Sequence, residues 1–148
     1  MAQVSLQDVA HLPRWRRPEA LLLLMSMAVW FGLSLWMVLI NNFAHEMARF
    51  DGSDIGWLHT VREIPGFLAF LVIVVIRFIP EQRLAILSLV LLGGATMVTS
   101  EFPSFWGLMI TTFIGSVGFH YFETVNQSLQ LQWLSKERAP QALGWIVA

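Results

Sequence analysis

Residues 116–144 read SVGFHYFETVNQSLQLQWLSKERAPQALG, and whether they form a loop or the polar end of a helix decides the fold. They continue an apolar run from Phe105 without a break, yet they hold a His, a Glu, an Asn and several Gln before the basic residues begin. Within them His120, Glu123, Gln127 and Gln130 recur at steps of three, four and three, which is one helical face, with Asn126 beside it. In a loop such a stripe would be accidental. On a helix it is a polar face turned toward a bundle interior or a water-filled cavity, because charged groups in hydrocarbon cost several kcal/mol and seldom face lipid. The stretch therefore predicts the second half of a helix over 105–133. The plainer alternative is that residues beyond 125 already sit in water at the membrane surface, where glutamines are ordinary.

A polar face needs neighbours, and the upstream sequence supplies them. A helix needs about 20 apolar residues to cross the hydrocarbon core. Ala20–Phe43, Trp57–Phe78 and the shorter Leu84–Thr99 are the remaining candidates, predicting helices over 20–43, 57–78 and 84–99. Hydrophobic residues make up 56% of the chain and charged residues only 13%, about half the charged share of a soluble domain. A soluble all-α core is the alternative, but apolar runs of this length are rare in one. The expected fold is an all-α membrane protein, a bundle of four transmembrane helices over 19–148 behind a polar segment over 1–18. The run from Ala20 to Phe43 carries no charge and is too long for a signal peptide, so it reads as a retained span. The last residues, PQALGWIVA, begin another apolar run, predicting a fifth helix that starts at 142–148 and a chain cut there.

Basic residues orient the bundle. Arg14, Arg16 and Arg17 precede the first span, Arg77 and Arg83 flank the link between the second and third, and Lys136 and Arg138 follow the fourth. The link between the first two spans has Arg49 against Glu46, Asp51 and Asp54, and SEFPS between the last two has no Lys or Arg. If the helices alternate, most of the basic charge lies on one side, which places the N-terminus in the cytoplasm.

The order of the spans, the tight second link and two motifs carry a resemblance. IGWLHTVREIPGFLAF resembles the start of the second helix of a major facilitator superfamily (MFS) transporter. SKERAPQALG is similar to the loop between that family's fourth and fifth helices. The resemblance covers Ala20 to Ala148, the N-terminal part of such a protein. Between its second and third helices the family carries a Gly, then Asp-Arg, then Gly-Arg-Arg. This sequence has VVIRFIPEQRLAIL there, with only Arg83 and Glu81 offering comparable charge and Pro80 making the turn. That departs from the family's charge latch, though not from its fold. The resemblance implies twelve helices in two halves of inverted repeats, with the first and fourth helices lining a central cavity. It also implies a secondary transporter of a small solute, or permease, with proton coupling through Glu123. The alternative is a transporter-derived subunit that does not transport and packs in a larger membrane complex. The implied partners are the lipid bilayer, a small solute, and either the C-terminal helices or other membrane subunits. The implied setting is a bacterial inner membrane, crossed several times.

Other residues could carry chemistry. On the first span Ser26, Trp30, Ser34, Met37 and Asn41 share one face, which either touches solute or simply packs helix against helix. On the fourth, Glu123 is a candidate proton carrier with His120 one turn away, and Asn126 and Gln127 are cavity candidates. On the second, Arg62 and Glu63 suggest an ion pair or an anion contact near the outer mouth; the alternative is that Arg62 snorkels to the interface. Gly93, Gly94, Gly107, Gly115 and Gly118 permit close helix approach. Metal binding by His120 and Glu123 lacks ligands. No cysteine is present, which removes disulfides and thiolate chemistry. With a net charge of −1 nothing suggests nucleic-acid binding. No nucleophile–base pair is visible, so neither an enzyme nor a cofactor is expected.

Overall fold

A computed structural model of the chain describes residues 12–134, 139–140 and 143–144. Lys136, Arg138 and most of the expected fifth helix lie outside these residues, as does the side chain of Arg14. The described residues are helical, with no strand among them. The main elements are α1 (Pro18–Ala48), α2 (Gly52–Phe67), a four-residue α3 (Val72–Val75), α4 (Glu81–Val98) and α5 (Phe105–Trp133). Short 3-10 turns occupy Arg14–Arg16, Ala69–Leu71 and Thr99–Glu101. Three stretches are long and apolar enough to cross a membrane: Pro18–Ala48, Gly52–Val75 and Glu81–Glu101. This is an all-helical membrane protein. α5 is long enough but falls outside that set, because the polar stripe of its second half dilutes its apolar residues.

The helix ends correct the expected boundaries, and the reasons are local. α1 runs on to Ala48 instead of stopping at Phe43. It ends where Arg49 takes a left-handed conformation (φ 57°) and its N–H reaches back to the Ala44 carbonyl. α2 begins at Gly52, not Trp57. Asp51 caps it by accepting from the Asp54 N–H at 2.9 Å, while the Asp54 carboxylate accepts from the Asp51 N–H at 3.2 Å. α4 begins at Glu81, directly after Pro80, with that acidic residue in the first turn. The expected helix over 57–78 is broken. Pro65 lies inside α2 and cannot donate to the turn before it. The helix closes at Leu68, loosens to the 3-10 turn Ala69–Leu71, and resumes only as α3.

α5 is the hub. Leu108, Met109, Thr111, Thr112, Gly115, Ser116, Gly118, Phe122, Val125, Asn126 and Leu129 are all buried along it. Its tightest neighbour is α4: a Cβ on Gly118 would lie 2.6 Å from the Ser88 carbonyl oxygen and 2.7 Å from the Leu92 nitrogen. Two apolar clusters close the bundle at its ends. At the end where α1 begins, called here the lower end, Leu22, Met25, Leu84, Ala85, Phe122 and Leu129 pack together. At the upper end Ile40, Ala44, Phe50, Leu58, Leu108 and Met109 do the same, without α4. Large apolar side chains such as Leu24, Phe31, Val38, Ile73 and Val90 face outward. In water they would be costly; against lipid they are matched.

Candidate functional site

Between the two clusters the helices part around a cavity of about 600 Å³. α1 contributes Ala28, Val29, Gly32, Leu33, Trp36 and Met37; α2 contributes Arg62 and Glu63. Leu89, Leu92, Gly93, Thr96, Met97 and Thr99 face it from α4 and the turn that follows. α5 closes it with Thr111, Thr112, Gly115, Ser116, Phe119 and His120. A second space of about 350 Å³ lies against Gly32, Trp36, Thr96 and Thr99, which also line the first, and reaches Leu39, Ile40 and Phe43. The two form one cleft between α1 and α4 that climbs toward the upper end. α4 is missing from the upper cluster, which is why the cleft is open on that side.

The charged end of the cavity is Arg62 and Glu63. The Arg62 Nε donates to the Glu63 carboxylate at 2.9 Å, and a terminal nitrogen pairs with the same oxygen. The other terminal nitrogen meets the Met37 sulfur. The guanidinium carbon lies 5.8 Å from the centre of the Trp36 ring, a cation–π distance. A lone charge inside a membrane span is expensive; this pair cancels within contact distance, which is how such residues are accommodated.

The broken part of α2 is gripped by α5. The Ser116 hydroxyl donates to the Arg62 carbonyl. One turn further along α5, the His120 ring fills the place of a side chain at Gly66: a Cβ there would lie 3.0 Å from His120 Cε1. Ser116 and His120 thus hold Arg62 and Gly66, which bracket Pro65. Among the described residues the His120 ring makes no hydrogen bond, and its edge-to-face partner is Phe119, 5.1 Å away.

The expected stripes divide on the structure. Of the α1 face, Met37 alone lines the cavity. Ser26 is buried and accepts from Asn126 Nδ2 at 3.0 Å. Trp30 packs its ring edge against Phe119 at 6.1 Å. Asn41 pairs with His59 at 3.2 Å, near the upper end. Ser34 is exposed. The face is therefore mainly a seam, toward α5 below and α2 above. Of the α5 stripe, His120 lines the cavity and Asn126 is buried, whereas Gln127 is exposed. Glu123 is half-buried outside the lining, and among the described residues no hydrogen bond or ion pair joins it to His120. Among the described residues Asn126 Oδ1 and Thr112 Oγ1 are buried without a partner, the second in the cavity lining. At the lower end the Glu81 carboxylate accepts from Ser128 at 3.2 Å and from Gln132, tying the start of α4 to the end of α5. Arg77 and Arg83 are exposed there.

Trp36, Ser116, Gly66 and Thr96 are the site residues that spacing alone did not single out. For Ser116 a signal existed: it lies one turn before His120, on the same face. No family model, no curated protein and no solved structure matches the chain.

Proposed function

We propose that the cleft between α1 and α4 is the solute pathway of a membrane transporter, and that the chain is the N-terminal part of an MFS-like permease. One observation carries this reading. A cavity of about 600 Å³ with a compensated ion pair at one end sits between two closed apolar clusters. That is within the usual range of small-molecule sites and has their composition, apolar walls with a few convergent polar groups. On this reading α5 crosses the membrane as a fourth span, shielded from lipid by its neighbours. The lower end is cytoplasmic, since Arg16, Arg17, Arg77 and Arg83 gather there, and the membrane is a bacterial inner membrane. The proton role of Glu123 is not part of the proposal, because the side chain lies outside the cavity.

The absence of cysteine makes the test direct. Single cysteines at Met37 and Gly93 should react with a membrane-impermeant maleimide added outside intact cells. One at the lipid-facing Leu24 should not. One at Arg83 should react only after the membrane is opened. Failure of Met37→Cys and Gly93→Cys to label from either side would leave a dry void. The chain would then be better read as a non-transporting subunit, which should co-purify with a partner.

A further inference from the structure

The chemistry of the lining restricts what can occupy it. The walls are apolar on α1 and α4. The hydroxyls of Thr96, Thr99 and Thr111 turn back to carbonyls of their own helix, at 2.8, 2.8 and 2.9 Å. Ser116 is committed to Arg62, and Arg62 to Glu63 and Met37. A charged ligand finds each of these charges already neutralised by a partner in contact, and so recovers little of the hydration it gives up on entering apolar walls. A ligand without net charge leaves the pair intact. It still finds, within the described residues, two lining groups that make no hydrogen bond: the His120 ring and the buried Thr112 hydroxyl.

We infer that the cavity takes a molecule of no net charge with a largely apolar body and a small hydrogen-bonding end, which meets the His120 ring and the Thr112 hydroxyl. This rests on the cavity being the solute site. Both a free solute and the acyl chain and ester of a lipid have this chemistry.

Three probes sharing one hydrocarbon cage separate the possibilities: 1-adamantanecarboxamide, 1-adamantanecarboxylate and 1-adamantylmethylamine. Their binding to the purified chain in nanodiscs is read from tryptophan fluorescence, since Trp36 lines the site. The amide should bind at least about tenfold more tightly than either ion. His120→Phe and Thr112→Val should each remove part of that advantage, and together most of it. Glu63→Gln should shift preference to the carboxylate by exposing the guanidinium. Gly93→Leu, at a position with nothing within 4 Å of a Cβ, should fill the cavity and abolish specific binding. If binding is lost in Gly93→Leu but an ion binds as tightly as the amide, the charge rule is overturned while the cavity stands. If Gly93→Leu binds as before, the cavity is not the site and the underlying reading fails with it. Adding long-chain phospholipid to delipidated protein distinguishes the sources. Competition with the amide identifies a lipid chain, and indifference identifies a free solute; the charge rule holds in both cases.

Discussion

α4 has two sides, and glycine does opposite things on them. Toward α5, Gly118 lets the backbones touch: a Cβ there would strike Ser88 and Leu92 at 2.6–2.7 Å, and one on Gly115 would reach Ala95 at 3.5 Å. Toward α1, Gly93 has nothing within 4 Å, and neither does Gly32 on the helix opposite. The same residue type closes one seam and hollows the other. Small residues favour helix contact in a membrane only where a neighbouring backbone can use the space. Here α1 is held to α5 and α2, through Asn126 and Arg62, and therefore stands off from α4.

Breaking the closed seam should cost most. Gly118→Val places side-chain atoms where the α4 backbone already lies and should destabilise by about 3 kcal/mol or more; thermal unfolding in mild detergent reads this, and an unchanged midpoint would remove the seam from the account. Loosening α1 from α5 comes next. Asn126→Ala strands the buried Ser26 hydroxyl and should cost about 1 kcal/mol. Adding Ser26→Ala should recover part of that loss. Gly66→Ala crowds the His120 ring, a side chain that can move, for roughly 1 kcal/mol or less. A double-mutant cycle with His120→Ala should show positive coupling, and strict additivity would mean the two do not touch. The open side should respond least and in the other direction: Gly93→Ala should stabilise by up to about 0.5–1 kcal/mol through helix propensity alone.

The membrane class was legible because long apolar runs are read directly from the sequence, and three of them are long and apolar enough to span. α5 spans Phe105–Trp133; what fixes its start is Ser104, whose hydroxyl accepts from the Gly107 N–H at 3.2 Å, a cap that the stripe spacing did not single out. The break in α2 was not legible. Pro65 and Gly66 lie in an apolar context that masks a proline's effect, and what stabilises the broken turn is Ser116, 54 residues away in sequence. The site was half legible. Arg62, Glu63, Met37 and His120 are conspicuous as polar or soft residues in apolar runs, and they converge. Ser26, Asn126 and Asn41 are equally conspicuous but bond to one another or to His59 across helix seams. Periodicity identifies a polar face without saying whether a cavity or another helix lies across from it.

The 31 residues of α1 make a rod of about 46 Å at 1.5 Å per residue, well beyond a hydrocarbon core of roughly 30 Å. Tilting alone does not absorb that mismatch. The uncharged stretch from Ala20 to Ile40 fills the core. The turns from Asn41 to Ala48 then stand clear of it, with His45 and Glu46 exposed. The corner made by Arg49 and the Asp51 cap closes this end, with Ala44 and Phe50 seated in the upper cluster. A rocking of α1 by about 10° about its foot would carry that tip through roughly 8 Å, given the rod length above, and would take the upper cluster, and so α2 and α5, with it. A spectroscopic label at Glu46 would register movements of the cleft while touching none of its lining.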